Sequence, residues 1–192
     1  MELSVEIRQT EISLSATDNI TAPTSMSLIK SVEIPGYPIS VHAYDNKIYL
    51  GWWGSSNLLR YDLGLSGRKV LLQGNYSHLT SVQAYNNELY VLFAQKDLIN
   101  VYDMTGKLKR SWKHSCLSKY YNKVRVVSDK VVVSSAQDQA LTVYNLQGQP
   151  VKQIKCPGIS NNWRAMAVCG DDSVIVSDYG TGRVFRVNID CG

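Results

Sequence analysis

The feature that most constrains this 192-residue chain is an internal repeat. Four segments align: SVHAYDNKIYL (Ser40 to Leu50), SVQAYNNELYV (Ser81 to Val91), KVRVVSDKVVV (Lys123 to Val133) and AMAVCGDDSVIV (Ala165 to Val176). The corresponding residues Val41, Val82, Val124 and Met166 are 41, 42 and 42 residues apart. A second set, Tyr61, Tyr102, Tyr144 and Val187, is spaced by 41, 42 and 43 residues. The extra residue of the fourth copy falls in its Gly170-Asp171-Asp172 turn. Two marker sets that keep one register are the mark of a modular array.

Each copy reads as a tight hairpin. Asp45-Asn46, Asn86-Asn87 and Ser128-Asp129 are pairs that tolerate the positive φ of two-residue turns. The strand after each turn is apolar at successive positions, as in Ile48-Tyr49-Leu50 and Val131-Val132-Val133. Such a strand is covered on both faces. A third strand follows (LLRYD, LINVYD, ALTVYN, VFRVN), then a glycine turn at Gly67, Gly106 or Gly148 and a more polar fourth strand. Four antiparallel strands per unit of about 42 residues describe a propeller blade. The predicted fold is therefore all-β, a β-propeller of four blades.

The last copy stops after its third strand, while LIKSVEIPG (Leu28 to Gly36) aligns with the fourth strand PVKQIKCPG (Pro150 to Gly158). The sequence thus predicts a ring closed by the N-terminal strand, which would remove an exposed strand edge. The alternative is a partial arc of a six-bladed ring. Residues 1–27 read as a linker or the remnant of a preceding domain, and residues 28–192 as the propeller.

The copy VIVSDYGTGRVFRV (Val174 to Val187) resembles an NHL repeat, with Asp178 followed five residues later by Arg183. IYLGWWGSSNLLRYDL and LINVYDMTGKLKRSW are similar to the NHL propeller of tripartite-motif-type ubiquitin ligases. That resemblance implies a substrate-recognition or RNA-recognition module. The second and third copies depart from it near Ala94 and Ser135, and the family's usual six blades exceed the four here. Ligase activity itself has no seat here, because the zinc-bound RING has no Cys/His counterpart.

The remaining chemistry is sparse. Cys116, Cys156, Cys169 and Cys191 form no C-x-x-C pair, and no histidine stands at metal-ligand spacing from them. No phosphate loop, G-x-S-x-G or H-E-x-x-H is present, and no cofactor is implied. No apolar run reaches the roughly 20 residues of a membrane span, and the acidic, alternating start is no secretory signal, so an intracellular, cytoplasmic chain is expected. The net charge of +4 is mild, but the stretch between Asp103 and Asp129 holds seven cations, Lys107 to Arg125, and no acid. It reads as a solvated outer strand and loop or as an anion footprint.

Function is expected on the loops of one face, where a rigid scaffold displays contact residues. Trp53, Tyr76, Lys119, Tyr120, Tyr121, Asn162, Trp163, Arg164 and Tyr179 are the candidates for binding a partner protein. Trp163 could equally be buried at the start of an inner strand. Single-stranded RNA is the alternative ligand, since bases stack on aromatics and phosphates seek Lys and Arg. No membrane partner and no DNA specificity are indicated. Asp178 and Arg183 read as a structural ion pair. His42 sits in a first strand, whereas His78 and His114 occupy equivalent loops of adjacent blades; a metal-dependent hydrolase built on two histidines and a distant carboxylate is the remaining alternative, with no further support in the sequence.

Overall fold

The computed structural model describes residues 30–34, 36–52, 57–73, 78–114 and 122–190. The segment 1–27 and most of the contact loops predicted above lie outside them. The molecule is a β-propeller of antiparallel blades, with one short 3-10 turn at Ala94–Lys96 among the described residues. The first blade holds β1 (Pro38–Tyr44), β2 (Lys47–Trp52), β3 (Leu58–Asp62) and β4 (Lys69–Leu72). The second holds β5 (Leu79–Tyr85), β6 (Glu88–Phe93), β7 (Leu98–Asp103) and β8 (Leu108–Lys113). The third holds β9 (Val124–Val127), β10 (Lys130–Ser135), β11 (Ala140–Asn145) and β12 (Pro150–Lys155). The fourth holds β13 (Trp163–Cys169), β14 (Ser173–Asp178) and β15 (Arg183–Asn188).

The turns are those the residues demand. Asp45 and Asn46 have φ of 47° and 54°, and Asn86 and Asn87 have 47° and 58°. Short polar side chains accept this left-handed region, and the resulting turn matches the strand twist. At the end of β7, the Asp103 carboxylate accepts from the Thr105 and Lys107 amides. Asn145 does the same for Gln147 and Gln149 at the end of β11. These bonds fold the chain back into the outer strand.

Blades pack face to face through the alternating side chains of their inner strands. Tyr49 and Leu58 of the first blade meet Leu89, Val91 and Phe93 of the second. Tyr90, Leu92, Ile99 and Val101 of the second meet Val124, Val126, Val131 and Val133 of the third. Val132 and Leu141 of the third meet Met166, Val174 and Val176 of the fourth. Each blade thus has a leading face toward its predecessor and a trailing face toward its successor.

The expected closing ladder with β15 is not formed by residues 30–34, the described part of the N-terminal strand. The fourth sheet consists of β13, β14 and β15, and residues 30–34 form no ladder with β15. Val32 and Ile34 pack instead on the leading face of the first blade, against Ile48, Leu50, Leu59 and Tyr61. The Lys30 amine donates to the Gly64 carbonyl at 2.7 Å. Burial of the Val32 and Ile34 side chains, at about 25 cal/mol per Å² of apolar area, holds the segment on that face. An edge ladder merely exchanges water bonds for protein bonds, with a net gain of about 1 kcal/mol each.

Candidate functional site at the loop face

The described connections β6–β7, β10–β11 and β14–β15, and that from β12 to β13, lie on one face. Trp53, Tyr76, Lys119, Tyr120 and Tyr121 fall outside the described residues, so their placement is not described. Asn162, Trp163, Arg164 and Tyr179 are brought together at the head of the fourth blade. The Tyr179 amide donates to the Asn162 carbonyl at 3.0 Å, and the Arg164 guanidinium lies 4.8 Å from the centre of the Tyr179 ring. Tyr179 is 70% exposed, so this stacked pair is open to a ligand. Trp163 differs from the expectation of a contact residue: it is 1% exposed and packs between the third and fourth blades. Its register opposite Asp178 turns the indole into that interface.

The predicted ion pair is also corrected. Asp178 and Arg183 are cross-strand partners in register, but no ion pair joins them. The buried Asp178 carboxylate instead accepts from the Ser160 amide at 2.8 Å, the Ser160 hydroxyl, the Gly180 amide at 3.0 Å and the Thr181 hydroxyl at 2.7 Å. Burial alone would raise its pKa, yet these donors hold it down at about 2. Asp178 therefore ties the β14–β15 turn to the connection from the third blade. The four donors fill its acceptor sites and leave no room for a guanidinium.

Two functional candidates were missed as such, because the basic run reads as outer strand and loop. Lys109 and Arg110 fit that reading: they lie on β8 and pair with Glu88, whose carboxyl is held at about 2 chiefly by the Arg110 hydrogen bond. Lys123 and Arg125 do not fit it, for they begin the inner strand of the third blade. Lys123 is 8% exposed and donates from Nζ to the Thr80 carbonyl at 3.1 Å. Arg125 donates from Nη1 to the Val124 carbonyl at 2.7 Å and to Ser81 Oγ at 3.1 Å. Neither has an acidic partner among the described residues. Burial, with the neighbouring Arg125 charge, pushes Lys123 down to about 8, and burial pushes Arg125 down to about 10. The legible signal was positional. In register, Lys123 replaces Ser81 and Arg125 replaces Gln83, so polar axis positions become cationic in one copy only.

The inner-strand position of Arg125 is telling. The equivalent His42 sets Nε2 against the Ala84 carbonyl of the next blade at 3.1 Å. Gln83 both donates to the Val126 carbonyl at 3.2 Å and accepts from its amide at 3.0 Å. Arg125 folds back toward the second blade rather than forward onto the fourth. Of the acids on this face, Asp178 is spent on its own turn and Asp138 accepts from the Ser135 hydroxyl at 3.1 Å. No group of three His, Cys, Asp or Glu residues that could hold a metal occurs among the described residues. His114, buried with Nδ1 on the Tyr144 hydroxyl, belongs to the second–third interface.

No family model matches the chain, and no curated protein does. Solved structures do. The computationally designed Ika4 protein matches with a TM-score of 0.61 at 18% identity, over 81% of this chain and 93% of that one. The WD40 β-propeller domain of Doa1 matches with 0.59 at 20%, over 80% of this chain and 51% of that one. Virginiamycin B lyase from Staphylococcus aureus matches with 0.65 at 14%, over 84% and 60%. The likeness shows the propeller fold. The chain spans half to three fifths of the length of these last two.

Proposed function

We propose that the chain is a non-catalytic recognition module that binds an acidic segment of a partner protein on its loop face. The observation that carries this reading is the pair Lys123 and Arg125, two cations at the loop-face end of β9 with no acid against them among the described residues. Partly desolvated charges of one sign favour a ligand of the other, and low dielectric strengthens the attraction. Arg164 on Tyr179 adds an exposed aromatic and cationic contact on the adjacent blade. A propeller is suited to this role, because its loops converge on a rigid frame. The resemblance to tripartite-motif ligases extends the proposal: the partner is a substrate presented for ubiquitin transfer, carried out elsewhere.

The test is fluorescence anisotropy with a Glu-rich model peptide. Lys123→Met, which keeps the stem and removes the charge, should weaken binding about tenfold, and Arg164→Ala with Tyr179→Ala by a similar factor. Unchanged affinity in Lys123→Met rejects the reading. A second reading, single-stranded RNA, is favoured by the Arg164–Tyr179 stack. It expects an oligonucleotide to outcompete the peptide, with affinity falling steeply in salt and lost in Tyr179→Ala.

A further inference from the structure

The two ends of the described chain are complementary. Among the described residues the fourth blade has three strands where each other blade has four, and its third strand, β15, has a ladder partner on one side. β3, β7 and β11, its counterparts, are paired on both sides. Its trailing face is open as well: Val184 is 70% exposed, and Ala165, Ala167 and Arg186 are exposed. At the other end, residues 30–34 lie extended on the leading face of the first blade without a ladder partner. They sit where the outer strand of a preceding blade belongs. Val32 and Ile34 repeat what Ile154 and Cys156 do at the interface of the third and fourth blades. No described residue occupies the place of the first three strands of that preceding blade, and Val41 beside it is 50% exposed.

The geometry points to a second copy of this chain as the occupant of both places. Residues 30–34 of one copy pair with β15 of the other, and the fourth blade of each stacks on the first blade of its partner. Repeating the contact about a two-fold axis closes one ring of eight blades from two arcs of four, a head-to-tail interface that closes on itself. The register follows from β11 and β12, where Ala140 opposes Lys155, Leu141 opposes Ile154 and Val143 opposes Lys152. Transferred to β15, it sets Arg183 opposite Glu33, Val184 opposite Val32 and Arg186 opposite Lys30.

Three properties agree with that register. Val184 and Val32 fall on the same side of the new ladder, the side facing the first blade, where Val32 already points. Arg183 and Glu33, both exposed in the single chain, become an opposite-charge cross-strand pair. The like-charged Arg186 and Lys30 are each otherwise engaged, Arg186 with Ser173 and Lys30 with the Gly64 carbonyl. Main-chain pairing along an edge supplies affinity, and alternate side chains supply specificity.

The experiment uses the full chain. Sedimentation equilibrium should give a mass near twice 21.5 kDa. Val32→Cys and Val184→Cys, made in separate chains and mixed, should give a disulfide-linked dimer under oxidation that neither variant gives alone. Val184→Asp, at a site exposed in the single chain, should weaken the dimer on the order of a hundredfold without unfolding it. Glu33→Arg should weaken it about twofold to fivefold and be rescued by Arg183→Glu in the partner. A monomer at all concentrations overturns the proposal. So does a dimer in which the mixed cysteine chains fail to link, or a Val32→Cys/Val184→Cys double variant that links only within one chain.

Discussion

The interface between the second and third blades and the outward face of the fourth are built from equivalent positions, yet they differ in every physical respect. At the interior interface Tyr90, Leu92, Ile99 and Val101 are buried, and polar side chains of the inner strand bond across to the next blade. On the fourth blade the equivalent positions are Ile175, Ser177, Val184 and Arg186, and Val184 and Arg186 are exposed. The repeat therefore encodes two kinds of blade surface in one register: a sealed one, where apolar side chains and bonded polar ones are buried together, and a mixed one at the margin. Exposed main-chain edges beside apolar patches invite association, and this mixed face carries both features.

The contrast can be broken most sharply at Leu92. Leu92→Ala should lose about 3 kcal/mol in urea unfolding, because a fully buried side chain between rigid blades leaves a cavity that cannot collapse. Asp178→Ala should cost about 2 kcal/mol by removing the charged acceptor shared by the Ser160, Gly180 and Thr181 donors. The pH dependence carries a sign. A carboxyl whose folded pKa is depressed stabilises the fold above its unfolded value near 3.9, and loses that contribution as pH falls toward about 2. Urea melts from pH 5 downward should thus show an acid limb that is shallower in Asp178→Asn.

Lys123 runs the other way. Its folded pKa of about 8 lies below the unfolded value near 10.4, so the folded state binds fewer protons between them and stability rises with pH across that window. A gain on the order of 2 kcal/mol between pH 8 and about 10.4 is expected, and Lys123→Met should abolish it. The same titration should weaken binding of an acidic peptide as pH rises through about 8. The smallest effect belongs to the margin: Val184→Ala should shift the stability of the single chain by no more than about 0.5 kcal/mol in the same melts. A large loss there would mean that the trailing face of the fourth blade is already covered.

The blades were legible because their physics is local. Asp45-Asn46 and Asn86-Asn87 announce tight turns, and Ile48-Tyr49-Leu50 or Val131-Val132-Val133 announces a doubly covered strand. Closure was not legible, since aligning Val32 with Ile154 gives the face on which the segment packs but not the ladder it joins. At the site, Arg164 and Tyr179 were found from their residue types, and their stacking needed coordinates. The Asp178–Arg183 pairing failed because spacing fixes the register of two side chains, while competition from Ser160, distant in sequence, decides the partner. Lys123 and Arg125 hid within a basic run of seven cations, of which Lys109 and Arg110 pair with Glu88 on the outer strand.

Among the described residues, side-chain bonds between blades concentrate at the second–third interface and are sparsest between the third and fourth. Ser40 receives the Val82 amide at 2.9 Å, and Tyr44 receives that of Asn87 at 3.3 Å. Gln83 and Arg110 clamp the third blade to the second. The fourth blade is held to the third by Ser128 on the Asp171 carbonyl and Lys130 on Asp190. Amide protons of β13 to β15 should consequently exchange first in deuterated solvent, and a pulling force applied to the chain ends should peel this blade away while the first three still hold.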